Sequence, residues 1–244
     1  MTRVKICGLT DVDSALAAAE AGADFIGLIF ATSRRKVTPQ ACYEIVTAIH
    51  EKRGRSRASF SGPAAGEVTG RSWFGAWNEA IEEALFNHRP LIVGVFADQA
   101  VEDVIDLVAA AKLDMVQLSG GEDDSFVRAM EIPAIRVVHV AQTDGADTAL
   151  ERAPAGVGQA IMFETAKNGA RGGTGETFDW SIAGEAGGST PLMVAGGLTP
   201  ENVEAAIASA APWAVDVSSG VETAGKKDVE KIRAFIRAAK GAKR

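Results

Sequence analysis

The sequence predicts a (β/α)8 barrel, an α/β TIM barrel, and three observations predict it. Short apolar runs rich in β-branched residues recur eight times along the 244 residues. Most are nearly continuous in apolar residues (FIGLIF, LIVGVF, LMVA), as strands covered on both faces by helices require. Stretches of helical periodicity lie between them, and strand–helix alternation on this scale is the pattern of a parallel barrel. The strand starts at 3, 24, 90, 114, 134, 160, 192 and 213 lie 20 to 32 residues apart, except for one interval of 66. An open doubly wound sheet is the alternative. It is disfavoured because no G-x-G-x-x-G follows the first strand.

The first strand is placed at 3–7. A helix follows over 11–21, with Asp11 as N-cap and Gly22 as stop. The second strand covers 24–30, and the second helix covers 38–50, opened by Thr38 and Pro39 in the cap and first-turn positions. The long interval leaves about 40 added residues at 51–89. Residues 51–71 are basic and rich in Gly, Ser and Ala, and read as loop. Residues 72–87 carry Trp73, Phe74, Trp77, Ile81, Leu85 and Phe86 at helical spacing. This segment joins a helix to the next strand, so it belongs on the bottom face of the barrel, opposite the mouth. It either decorates the barrel wall or forms a subunit contact.

The third strand is placed at 90–96 with a helix at 101–111, and the fourth at 114–118 with a helix at 123–130. The fifth, sixth and seventh strands fall at 134–140, 160–163 and 192–195. A helix over 200–209 opens on Thr199-Pro200-Glu201. The eighth strand covers 214–217, and a helix over 228–239 closes the sequence. Residues 1–244 are expected to form one barrel domain with 51–89 inserted in it.

Composition narrows the functions. Hydrophobic residues make up 47% and charged residues 23%, enough apolar material for a full core, and the formal net charge is −7. A broad nucleic-acid surface is not expected of so acidic a chain. A local anion pocket is compatible with it, because backbone amides build one whatever the global charge. Two cysteines make no disulfide framework, and three histidines lack metal-ligand spacing, so no metal is expected. No apolar run reaches the length of a membrane span, and acidic residues interrupt any secretory pattern at the N-terminus. The expectation is a soluble cytoplasmic protein without membrane or nucleic-acid partners.

A barrel works at the C-terminal ends of its strands. Cys7 ends the first strand, where a thiolate could act as base or nucleophile and a thiol could be a small buried hydrophobe. Cys42 falls on the apolar face of a helix and reads as core. Ser33-Arg34-Arg35-Lys36 follow the second strand, a basic cluster suited to a carboxylate or phosphate, or a solvated charge run. Gly196 and Gly197 follow the seventh strand, and Ser218, Ser219 and Gly220 follow the eighth. Loops at these two places usually bind phosphate in this architecture. The segment Arg171–Gly175 between the sixth strand and Phe178-Asp179-Trp180 reads as a connector or a lid over a substrate.

Seven segments then carry a resemblance over nearly the whole chain apart from 51–89. They are VKICGLT from Val4, residues 22–30 with Ser33-Arg34-Arg35, Gly94-Val95-Phe96, Val116-Gln117-Leu118, GGTGETFDW from Gly172, AGGLTPENV from Ala195 and VDVSSGVETAGKKD from Val215. The chain resembles the phosphoribosylanthranilate isomerases of tryptophan biosynthesis. The resemblance implies an Amadori rearrangement of a small phosphorylated substrate, run by acid–base steps without a cofactor. It implies Cys7 as the base and Arg35 as the carboxylate-binding group. It places phosphate at Gly196, Gly197, Ser218, Ser219 and Gly220, with Gly173 and Asp216 as further substrate contacts. Two positions depart from the family pattern. Glu164 stands where an aspartate general acid is usual, and Ser119 stands where QLHG is usual. The alternatives are a histidine-pathway or bifunctional sugar isomerase, which would favour paired aspartates, and a barrel that binds a phosphorylated ligand without turnover. A monomer and a homodimer are both compatible with the sequence.

Overall fold

The computed structural model describes residues 1–54, 57–166, 178–187 and 190–243. The chain opens with β1 (Arg3–Cys7), α1 (Val12–Ala21), β2 (Phe25–Ile29), α2 (Pro39–Arg53) and α3 (Arg71–His88). It continues with β3 (Leu91–Phe96), α4 (Val101–Ala111), β4 (Met115–Leu118), α5 (Asp124–Arg128), β5 (Ala134–Val140) and α6 (Ala146–Glu151). Next come β6 (Ala160–Thr165), α7 (Trp180–Gly187), β7 (Leu192–Val194), α8 (Val203–Ala210) and β8 (Ala214–Val217). A 3₁₀ turn at Ser219–Val221, a small hairpin of β9 (Glu222–Thr223) and β10 (Lys226–Lys227), and α9 (Val229–Gly241) complete it. Strands β1 to β8 pair in chain order and close into a barrel, with β1 parallel to β8 at the seam.

Side chains alternate across each strand, so every second residue points inward. Phe25, Val93, Met115, Ile135, Met162, Met193 and Ala214 pack together inside the barrel. Val4, Ile6, Ile26, Val116, Val138, Ile161 and Val215 pack outward under the helices. The same alternation brings Lys5, Cys7, Gln117, His139, Glu164 and Asp216 to the inner side, at or above the middle of the barrel.

The expected caps form. Asp11 accepts from the Ser14 amide at 2.8 Å, and Thr38 accepts from the Ala41 amide at 3.1 Å. Gly22 ends α1 at φ 97°, a left-handed conformation that costs glycine little. Two short helices, α6 and α7, and the β9–β10 hairpin go beyond the expected elements. Helix α6 has six residues and no side-chain cap, so it carries too little periodicity to be read locally. Asp24 and Asp114 precede their strands rather than join them. Their buried carboxylates accept from the Val4 and Ile92 amides at 2.9 and 2.7 Å, holding neighbouring strands at the barrel bottom.

Helix α3, in the added segment, crosses the floor of the barrel rather than its wall. Ile81, Ala84 and Leu85 pack into the interior cluster with Phe25, Leu91 and Ala160. Trp73 is 2% exposed, and its indole N–H donates to the Gly158 carbonyl at 2.6 Å. Glu82 pairs with Arg3 and accepts from the Trp213 indole at 2.7 Å. The aromatic stripe is therefore largely spent on the barrel itself, and only Phe86, 90% exposed, stands clear of it.

Candidate active site

A cavity of about 700 Å³ opens at the C-terminal mouth, lined by Cys7, Arg35, Gln117, Ser119, Glu164, Asp216 and Ser218 among others. It joins the ends of β1, β4, β6 and β8 and the loop after β2, as barrel geometry requires. The lining includes the two expected acid–base residues, the expected arginine, Asp216 and one serine of the phosphate loops. Gly196, Gly197, Ser219 and Gly220 lie in the adjoining loops after β7 and β8. Gly173 and the Arg171–Gly175 segment lie outside the described residues.

Cys7 is 5% exposed at the end of β1, opposite Gly27 of β2. A Cβ at Gly27 would stand 2.8 Å from the Cys7 sulfur and 3.0 Å from Lys5 Nζ. Glycine there leaves room for both groups to sit side by side. Lys5 is fully buried, and its ammonium donates to Asp216 Oδ1 at 2.9 Å. Burial acts to strip that proton, but the negative charges of Asp216 and Cys7 outweigh it and hold Lys5 above the ordinary lysine range. For Cys7 burial is the largest effect and pushes the thiol up, while the charges of Lys5 and Lys227 pull it back. Two ammonium groups beside a buried thiol are the arrangement that makes a thiolate accessible in an apolar setting.

The loops after β7 and β8 owe their shape to glycine. Gly196 and Gly197 take φ values of +93° and +67°, which other residues rarely adopt. A Cβ at Gly220 would run into the Leu198 carbonyl, so glycine lets the loops after β7 and β8 touch. The Ser218 hydroxyl and Gln117 Oε1 are buried and have no hydrogen-bond partner among the described residues. Buried polar atoms normally have partners, so these two point to a polar ligand in the mouth.

Arg35 is tied down by Glu222 of β9. Its Nε donates to Oε1 at 2.5 Å and its Nη2 donates to Oε2 at 3.1 Å. The Arg34 Nη2 and the Lys227 ammonium reach the same carboxylate at 2.6 and 3.2 Å. Burial alone would raise the Glu222 carboxyl, yet Arg35 and Lys227 hold it below its usual range. Lys227 itself is pushed down by burial, against the pull of Glu222 and Cys7. The residues missed from sequence are thus Lys5, Glu222 and Lys227. All three stand inside quoted motifs (VKICG, SSGVETAGKKD), and that position is the signal that could have found them.

Fold and site together define a (β/α)8-barrel enzyme whose working end gathers a thiol, a carboxyl group and glycine-built loops. Comparison with known proteins narrows the class to isomerases. The model of the family described as N-(5′-phosphoribosyl)anthranilate (PRA) isomerase matches residues 56–238. The N-(5′-phosphoribosyl)anthranilate isomerase of Dehalococcoides mccartyi is 37% identical, over 99% of this chain and 97% of that protein. The crystal structure of the Thermotoga maritima enzyme superposes with a TM-score of 0.72 at 32% identity, covering 99% of this chain and 100% of that one. A second structure, at TM-score 0.69 and 31% identity over 99% and 100% of the two chains, is the isomerase in complex with reduced 1-(o-carboxyphenylamino)-1-deoxyribulose 5-phosphate. The chain belongs to the N-(5′-phosphoribosyl)anthranilate isomerase family.

Proposed function

We propose that the chain converts N-(5′-phosphoribosyl)anthranilate to 1-(2-carboxyphenylamino)-1-deoxyribulose 5-phosphate, with Cys7 as general base and Glu164 as general acid. The observation that carries this assignment is that both groups line one cavity at the barrel mouth, beside a tethered arginine and an unpartnered serine hydroxyl.

Glu164 in its protonated form gives its proton to the ribose ring oxygen. The C1′–O bond breaks as the anthranilate nitrogen forms C1′=N, leaving an iminium. The Cys7 thiolate, flanked by Lys5 and Lys227, then removes the C2′ proton and an enolamine forms. In the last step C1′ gains a proton, O2′ loses one and the ketone results. Protons balance, and no oxidant or reductant enters. Arg35 receives the anthranilate carboxylate as Glu222 holds its guanidinium in place. Gly196, Gly197, Ser218, Ser219 and Gly220 receive the phosphate, with the Ser218 hydroxyl as one donor. Asp216 fixes Lys5 beneath the substrate, and Gly173 is a further substrate contact implied by the family resemblance.

Glutamate is one methylene longer than the family's usual aspartate, and a misplacement near 1 Å costs about 10²-fold in rate. Glu164 must therefore be held by its surroundings. We further assign residues 1–244 to one barrel domain acting in the cytoplasm as a monomer or homodimer. Among the described residues, no helix is long and apolar enough to cross a membrane. Loss of substrate fluorescence at steady state tests the assignment. Cys7→Ala and Glu164→Ala should each lower kcat by about 10²-fold or more. Full activity in both variants would sink the residue roles, and turnover of the histidine-pathway aminoaldose instead would sink the substrate.

A further inference from the structure

We propose that His139 is the positioning residue for Glu164, orienting its carboxyl group through the imidazole Nδ1. The inference rests on the reading of Glu164 as general acid. It answers what that reading leaves open, namely what steadies a side chain one methylene longer than the family's aspartate.

The fold places the two residues together. In the parallel pairing of β5 with β6, His139 stands directly opposite Glu164. Both continue the inward-facing series of their strands, above Val137 and Met162. His139 Nδ1 lies 3.8 Å from Glu164 Oε2. The other ring nitrogen, Nε2, lies 3.1 Å from the Ser119 carbonyl oxygen. A carbonyl oxygen only accepts, so Nε2 carries the hydrogen. In the neutral imidazole, Nδ1 then keeps a lone pair turned toward Glu164, ready to accept from a protonated carboxyl group once the two close to hydrogen-bond distance. The tautomer of His139 is thus set by one backbone carbonyl, and the protonated form of Glu164, the form a general acid needs, gains a partner.

The distance of 3.8 Å is outside a formed hydrogen bond. Catalytic contacts of this kind tighten when substrate binds. His139 does not line the mouth cavity, whereas Glu164 and Ser119 do. The route from His139 to the substrate that this geometry offers runs through Glu164. Ser119 adds a second element, since its backbone carbonyl serves His139 and its hydroxyl accepts from Gln117 Nε2 at 3.1 Å. The loop after β4, where the family usually carries a histidine, here braces a histidine on the next strand instead.

Two variants separate the roles of the ring nitrogens. In His139→Asn the amide falls near the Nδ1 position and keeps a partner for Glu164. In His139→Gln it falls near the Nε2 position and keeps the bond to Ser119. The expected result is a kcat within about two-fold of the parent for His139→Asn and about ten-fold lower for His139→Gln, with KM within two-fold in both. The reverse order, or a change confined to KM, would overturn the proposal. Glu164→Asp supplies the coupling test, because the shorter carboxylate withdraws from Nδ1. His139→Gln should then cost less than two-fold in the Glu164→Asp background, and an undiminished ten-fold loss there would also overturn it. If Glu164→Ala retains full activity, the acid assignment itself fails. If Glu164→Ala is inactive and the His139 variants reverse, only the positioning role fails.

Discussion

Glu222 grips Arg35 through both carboxylate oxygens, at 2.5 and 3.1 Å, across 187 positions of sequence. The guanidinium proposed to receive the substrate carboxylate is thereby set in one orientation before substrate arrives. Glu222 also carries the buried Lys227 and, at the rim, the more exposed Arg34. Removing one partner of a buried ion pair costs about 3–5 kcal/mol, because the remaining charges are left uncompensated. Glu222→Ala is expected to lose stability of that order in urea unfolding and to raise KM about ten-fold. Arg34→Ala removes a half-exposed partner and should cost under about 1 kcal/mol with KM unchanged. Equal effects of the two substitutions would contradict this division.

The pH dependence of the proposed reaction follows from Cys7 as its proposed base. The base must be a thiolate, and burial holds the thiol above its ordinary value of 9.0 despite Lys5 and Lys227. Deprotonation therefore remains incomplete throughout the neutral range. In Glu164→Gln, where no acid titrates against the base, the residual kcat/KM should climb close to ten-fold per pH unit on the alkaline side of neutrality. Cys7→Asp, whose carboxylate is already ionised there, should flatten that limb. A flat profile in Glu164→Gln would remove Cys7 as the base.

Stability should fall in alkali through the other cysteine. Cys42 is 3% exposed in the core, and burial pushes its thiol up to about 11. An unfolded chain loses that proton near the ordinary value of 9.0, so between there and about 11 the unfolded state binds fewer protons than the folded one. Unfolding free energy then declines as pH rises through this window, by an amount on the order of 2 kcal/mol. In Cys42→Ala the decline should be shallower, although the variant is less stable at neutral pH. An identical pH slope in both proteins would show that Cys42 does not drive it.

The floor of the barrel should separate stability from catalysis. Trp73 is buried in the outer core cluster at the bottom of the barrel and donates to Gly158. Trp73→Ala is expected to cost about 3–5 kcal/mol. Trp73→Phe keeps most of the ring volume and loses the hydrogen bond, at about 1–2 kcal/mol. Under conditions where each variant is folded, kcat should stay within two-fold of the parent, because Trp73 lies at the opposite end of the barrel from Cys7. A matching fall in kcat would mean that the floor reaches the mouth.

Most of this architecture is legible along the chain. The strands announce themselves as apolar β-branched runs, and Asp11, Thr38 and Gly22 mark helix ends by local chemistry that needs no partner. Cys7, Arg35, Glu164 and the glycine loops are legible because strand ends and family motifs both point to them. The rest depends on register and on distant contacts. His139 and Glu164 meet because β5 aligns with β6 in one particular register, which no local pattern specifies. Lys5 reads as a charge set between apolar neighbours until Asp216 is placed beside it, 211 positions later. The aromatic stripe of α3 is visible as periodicity, but the surface it covers becomes visible only when the barrel closes.

Glu82 of α3 holds Arg3 at the start of β1 and the Trp213 indole one residue ahead of β8. Those two strands form the seam of the ring. Glu82 therefore works as a clasp set into the chain early, waiting 131 positions for the second half of its fastening. During synthesis the N-terminal part carries the clasp on one side only, and the hydrogen-bonding edge of β1 stays unpaired until the last strand is made. A chain cut short before residue 213 exposes that edge to any other strand it meets. The segment farthest from the catalytic mouth thus governs when the nascent chain stops being sticky.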